Sequence, residues 1–272
     1  MRHWEVKKQP CEVIVGKSIL AFKREDAEAI PSSKGFGCVQ TLDTKPKRRL
    51  FEMLQSQGHQ RHQQLTLLSD GGDTVRDLQL YLNPQAEHLL DWFPLAMRLT
   101  VMPQTAQGLP QTIQDEEETF TLRDPVVHQL ERLTWALWHG NVSKACHQIA
   151  ALAMDLDVAV VTTGDATARK LLKAIEEFHT SMERNRAFIP NYGERYRDGE
   201  RISTGFVAST VNQVISKRFC KKQQRQWTKR GAHLLLQTRV KTLNQELGAV
   251  FQQWYPDLQL GEEPLEEEPR VA

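Results

Sequence analysis

The chain has 272 residues, and its apolar share of 40% is that of an ordinary globular protein, enough for one large domain or a domain with a sizeable insertion. Its 35 basic and 34 acidic residues nearly cancel, so any basic surface must come from local segregation of charge. No apolar run approaches the length that spans a bilayer, and the N-terminal MRHWEVKKQP lacks the hydrophobic core of a signal peptide.

In chain order, EVIVGKSILAF from Glu12 and FGCVQTL from Phe36 are β-branched apolar runs that read as paired strands. Thr44 is the expected cap of a helix with Pro46 in its first turn, Leu50, Phe51 and Leu54 on its inner face and Gly58 as its stop. LTLLSD from Leu65 reads as a short buried strand, and Asp73 to Leu82 as a helix closed by Asn83 and Pro84. HLLDWF from His88 is a further strand-like run. This strand–helix–strand order predicts an α/β sheet with parallel members over Glu12 to Phe93. Gln104 to Glu118 is polar and reads as loop.

Beyond it the apolar period becomes helical. Leu130, Leu133, Leu137 and Trp138 form a stripe ending at Gly140, Ala145 to Leu156 continues as helix, and Leu171, Ile175, Phe178 and Met182 form a stripe behind an Asp165 cap. Leu236, Val240, Leu243, Leu247, Val250 and Trp254 predict one long amphipathic helix ended by Pro256. The tail from Gly261 is acidic and poor in apolar residues, which predicts disorder.

Cys11, Cys38, Cys146 and Cys220 lie far apart with no paired spacing, against a zinc ribbon or a disulfide framework and in keeping with a reducing cytoplasm. His59 and His62 could share a helix end, but without further clustered ligands they read as surface residues. The strongest charge feature is the run from Arg201 to Gln245, which holds ten basic residues and no acidic one. Lys217, Arg218, Lys221, Lys222, Arg225, Lys229 and Arg230 cluster there around Trp227. Such a strip is either an electrostatic footprint for nucleic acid or a solvated helix face. Trp227 could stack on a base or anchor the helix by packing.

Six phrases occur in a consistent order: CEVIVGKS from Cys11, FGCVQTLDTKPKRRLFEMLQSQG from Phe36, LLSDGGDTVRDLQLYLNPQAEHLLDWF from Leu67, LERLTWALWHGNV from Leu130, FIPNYGERYR from Phe188 and STVNQVISKRFCKKQQRQWTKRGAHLLLQTR from Ser209. Together they resemble bacterial insertion-sequence transposases of the Kra type, over most of residues 1 to 255. The resemblance implies a ribonuclease-H-like catalytic domain with a DDE carboxylate site. In the intact family that site holds two Mg²⁺ ions about 3.5–4 Å apart, clamping the attacking and leaving oxygens of DNA. It also implies a layout: a ribonuclease-H-like α/β part over 1–95 with its first strand missing, a helical insertion over 96–187, the catalytic-helix and basic region over 188–256, and the acidic tail over 257–272.

Residue by residue, the resemblance gives Asp70 of SDGG the role of the middle carboxylate and metal ligand. Carboxyl ends of strands are where open α/β sheets collect ligands; Asp70 could equally cap the turn that follows it. The first Asp is expected upstream of RHWEVKK, which here follows Met1 directly, so the chain reads as N-terminally truncated. The third carboxylate is expected at Ala208, where the family carries Glu before the Ser-Thr pair. Pro94 stands where the family usually has His, and Asp91 keeps at best a secondary role. Glu194 and Glu200 fall in a charged, Gly-containing loop and are not promoted to ligands. The expectation is thus a transposase by descent, inactive as a nuclease and without productively bound Mg²⁺. DNA is its partner, together with a full-length transposase or a second copy. The alternative is a nonspecific DNA-binding or regulatory fragment without enzymatic activity.

Overall fold

A computed structural model describes residues 13–20, 33–39, 43, 45–60, 62–115, 118–205, 207, 210, 214 and 228–257. The fold is α/β, mostly helical, with small sheets. In chain order, strands β1 (Val13–Ser18) and β2 (Lys34–Val39) precede helix α1 (Pro46–Ser56). Strand β3 (Thr66–Ser69), helix α2 (Asp73–Leu82) and strand β4 (Glu87–Leu90) follow, and then helix α3 (Trp92–Ala106). A hairpin of β5 (Thr112–Asp115) and β6 (Glu118–Thr121) leads into helices α4 (Arg123–Trp138), α5 (Val142–Thr163) and α6 (Ala166–Asn185). A 3-10 turn at Arg186–Phe188, helix α7 (Tyr192–Arg197), helix α8 (Lys229–Leu243) and helix α9 (Leu247–Trp254) complete the described elements. Two compact units divide the chain, one of 1–18, 32–46 and 210–272, the other of 19–31 and 47–209.

In the first unit β1 and β2 pair antiparallel, from Val13 opposite Val39 to Ser18 opposite Lys34. Val39, Val214, Leu236 and Val240 are buried together, so α8 lies against β2. Gly37 permits the approach: a Cβ there would stand 3.1 Å from Leu236 Cδ1. Gln237 Nε2 donates to the Gly37 carbonyl at 2.8 Å. The single long helix expected from Leu236 to Trp254 is instead two helices. Asn244 turns its amide onto β2, accepting from Gly35 N at 2.7 Å and donating to Gly35 O at 2.9 Å, as a neighbouring strand would. Gln245 takes φ +58 and Glu246 pairs with Lys34 at 2.8 Å, which ends α8. Only the first part of the apolar stripe is buried; Trp254 on α9 is 66% exposed.

In the second unit β3 and β4 pair parallel through α2, with Ser69 opposite Leu90. Among the described residues the strands form three separate pairs, where one sheet was expected over Glu12 to Phe93. β3 is half-buried apart from Ser69, whereas His88, Leu89 and Leu90 of β4 are buried. The HLLDWF run stops being strand at Leu90, because Asp91 accepts from Phe93 N and starts α3. The stretch expected as loop over 104–118 holds the last turn of α3 and then the first hairpin strand. Buried Leu109 and Ile113, and a hydrogen bond from Arg123 Nε to Leu109 O, anchor it.

α1 starts at Pro46; the expected cap Thr44 lies outside the described residues, and Met53 joins Leu54 as its buried face. The core of this unit is α3 to α6. Leu130, Leu133 and Leu137 of α4, Ile149, Leu152 and Leu156 of α5, and Leu171, Ile175, Phe178 and Met182 of α6 are almost wholly buried, each stabilising by roughly 1.5–3 kcal/mol. Asn141 and Asp165 cap α5 and α6, the latter accepting from Ala168 N at 2.8 Å. α5 has the length and composition to cross a bilayer, contrary to the absence of any such run expected above. Its inner face packs in the core, and its exposed side carries Asp155 and Asp157, each costing roughly 2.5–3.5 kcal/mol at a bilayer centre. Gln129 of α4 donates to Asp155.

Candidate active site

Asp70 is the first residue beyond the carboxyl end of β3, where SDGG turns into α2. It is exposed, and its Oδ1 accepts from Gly72 N at 3.3 Å. Gly71 takes φ +88, and a Cβ there would lie 2.6 Å from Asn185 Oδ1, so this turn requires glycine twice over.

Extending the parallel register by one residue sets Asp91 opposite Asp70, and Asp91 N donates to Ser69 O at 2.7 Å. The two carboxylates differ in everything else. Asp91 is 2% exposed, and its oxygens are engaged. Oδ1 accepts from Phe93 N at 2.9 Å and from Thr204 N at 3.1 Å, and Oδ2 accepts the Thr204 hydroxyl. Trp92 N donates to Ile202 O beside it. Asp91 thus ties the end of β4, the start of α3 and the 202–204 segment into one knot.

Aromatic and charged side chains buttress that knot. Tyr192 is fully buried and donates its hydroxyl to Leu90 O at 2.9 Å. Burial, with the Asp91 charge second, pushes the phenol far above its ordinary range and keeps it a donor. Gly193 lets α7 press on Trp138, since a Cβ would meet Nε1 at 2.6 Å. Arg195 pairs with Glu87 and, at 2.8 Å, with Glu200. The YGERYR phrase therefore braces β4. Glu194 sits in the first turn of α7 and not in a loop, with its N–H on the Asn191 cap.

On the other face of the strands Ser69 Oγ meets His88 Nε2 at 2.7 Å, and Gly71 N donates to the same Oγ. His88 stacks on Phe188, whose ring also lies under Arg76. Arg76 donates to Asn185 Oδ1 at 2.9 Å. Burial, and then the Arg76 charge, lower the His88 pKa, so the ring is held neutral. Sequence reasoning missed this layer; its signal was a lone histidine in the apolar β4 run.

Ala208, Lys217, Arg218, Lys221, Lys222, Arg225 and Trp227 lie outside the described residues. Lys229 and Arg230 open α8, directly after Thr228, which caps the helix by accepting from Gly231 N. The first turn of α8 carries no acidic residue. His59 is half-buried and His62 exposed.

A two-metal site requires several hard oxygen ligands converging on one point. Among the described residues no group of three metal-ligating side chains includes Asp70, the oxygens of Asp91 are already engaged, and alanine at 208 offers no donor. The described residues around Asp70 do not assemble the ligand set of a Mg²⁺ pair. Among the described residues Cys146, His179 and Glu183 do converge, between α5 and α6. No family model, no curated protein and no solved structure matches the chain.

Proposed function

We propose that the chain is a transposase-type protein of the DDE, ribonuclease-H-like kind that holds duplex DNA without cutting it. The observation that carries the binding half is the run from Arg201 to Gln245, with ten basic residues and no acidic one. Lysine and arginine side chains clustered in this way can contact phosphate oxygens without any metal. Lys217, Arg218, Lys221, Lys222 and Arg225 extend the same charge along the sequence. Binding through such contacts reads backbone and not base edges, so it is largely indifferent to sequence.

The descent half rests on the ordered phrases and on Asp70 following a parallel strand joined by a helix to its neighbour. The catalytic deficit rests on Ala208, at the position of the expected Glu, and on Asp91, whose oxygens serve the fold. In an intact relative Mg²⁺ would supply charge for phosphoryl transfer; here the chain offers Asp70 alone of the carboxylates named above. A cytoplasmic protein of this kind would occupy DNA on its own, with a second copy, or beside a complete transposase.

Supercoiled plasmid incubated with the purified chain, in Mg²⁺ and in chelator, tests both halves. The expected result is a mobility shift in each condition and no nicked product in either. A Mg²⁺-dependent nick that disappears in Asp70→Ala would overturn the catalytic deficit. The absence of any shift at low salt would overturn the binding.

A further inference from the structure

Cys146 lies in the second turn of α5, and His179 and Glu183 stand one helical turn apart on α6, facing it. Their ligand atoms all lie within 4.8 Å of one another. His179 Nε2 and Glu183 Oε1 are 3.8 Å apart. Bonds of about 2.0–2.3 Å to one tetrahedral ion would place ligand atoms about 3.3–3.7 Å apart, so the set needs a contraction of about 1 Å to share an ion. We propose that Cys146, His179 and Glu183 form a site for a zinc-like divalent transition-metal cation, which ties α5 to α6 with water as its fourth ligand.

The donor set selects the ion class. One thiol, one imidazole and one carboxylate suit a borderline-soft cation, while Mg²⁺ and Ca²⁺ prefer oxygen alone. Cys146 is 9% exposed, whereas the side chains of His179 and Glu183 are 36% and 46% exposed, so an ion has an entry path on the carboxylate side. The scaffold is rigid where it must be, because Cys146 and the α6 residues flanking the site, Phe178 and Met182, belong to the packed core. Without metal the thiol keeps its proton: burial first, and then hydrogen bonding to Glu183, raise its pKa to about 11. Metal binding would displace that proton, leaving a thiolate and a carboxylate around the cation. Arg186 is the nearby positive charge, and Ser143 Oγ accepts from its guanidinium at 2.8 Å. The site is independent of Asp70 and of the basic strip, and its test involves no DNA.

Co²⁺ titrated into the full-length chain is the direct probe, because a cobalt–thiolate bond gives a charge-transfer absorption. One equivalent should produce that band with tetrahedral ligand-field absorption, Zn²⁺ should erase it, and Mg²⁺ in large excess should not. Cys146→Ser should abolish the band. His179→Gln and Glu183→Gln, at partly exposed positions that tolerate change, should each weaken Co²⁺ binding by at least about tenfold while leaving the circular dichroism spectrum intact. Zn²⁺ should raise the melting temperature of the wild type and not of His179→Gln. A folded wild type that gives no band would overturn the site. So would a band that survives Cys146→Ser, which would assign the thiolate to another cysteine, or affinity unchanged in both α6 variants.

Discussion

Asp70 and Asp91 stand at neighbouring strand ends, and their surroundings assign them different duties. Removing the Asp91 carboxylate deletes the α3 cap and leaves Thr204 N without its buried acceptor. Asp91→Ala should therefore cost about 1–3 kcal/mol in urea unfolding, from a lost cap and a half-buried donor left unsatisfied. Asp91→Asn should cost less, since its amide oxygen can still cap and its NH₂ can meet the Thr204 hydroxyl. Asp70→Ala, at an exposed position, should change stability by under about 0.5 kcal/mol. Equal costs at the two positions would mean that the clamp at Asp91 is not formed. His88 supplies a pH signature. Its folded pKa is lowered, so the unfolded chain binds a proton that the native state refuses. The contribution is fully present above the unfolded value of about 6.5 and is lost as pH falls through the folded one. Melting temperature against pH should thus decline less steeply on the acid side in His88→Gln than in the wild type, and parallel curves would contradict the assignment.

At the scale of elements, the sequence was most legible where apolar spacing and caps agree. Leu171, Ile175, Phe178 and Met182 behind Asp165 define α6, and Leu130, Leu133 and Leu137 before Gly140 define α4, because each stripe meets the core it implies. The break between α8 and α9 was not legible, since the stripe from Leu236 to Trp254 continues in phase through it. The cause is non-local: Asn244 is held by Gly35, 209 residues away. Asn244→Ala should free both backbone groups of Gly35 and cost about 1–3 kcal/mol. A cost near zero would mean that the amide does not stand in for a strand. The hairpin of β5 and β6 escaped for the opposite reason, since its strands bury Ile113 alone among the described residues and, exposed Phe120 apart, read as polar.

For the molecule as a whole, the strand-end position of Asp70 was legible from SDGG, as was the pairing of β1 with β2. The knot around Asp91 was not, because Thr204 lies 113 residues away and nothing local announces it. Nor was the Cys146, His179 and Glu183 cluster: the i,i+4 His–Glu pair shows in the sequence, but the cysteine arrives only through packing of α5 on α6. If the basic strip holds DNA through phosphate contacts, as proposed, its binding must weaken steeply with salt. Fluorescence anisotropy of a labelled duplex across a salt series tests it most directly, comparing the wild type with the triple variant Lys221→Glu, Lys222→Glu, Arg225→Glu. Each phosphate contact contributes about 0.9 to the slope of log affinity against log salt. The variant should bind more weakly, with a slope flatter by up to about 2.7, and the loss should be the same for unrelated duplex sequences. Equal affinity and equal slope for the two proteins would reduce the strip to a solvated surface and contradict the account.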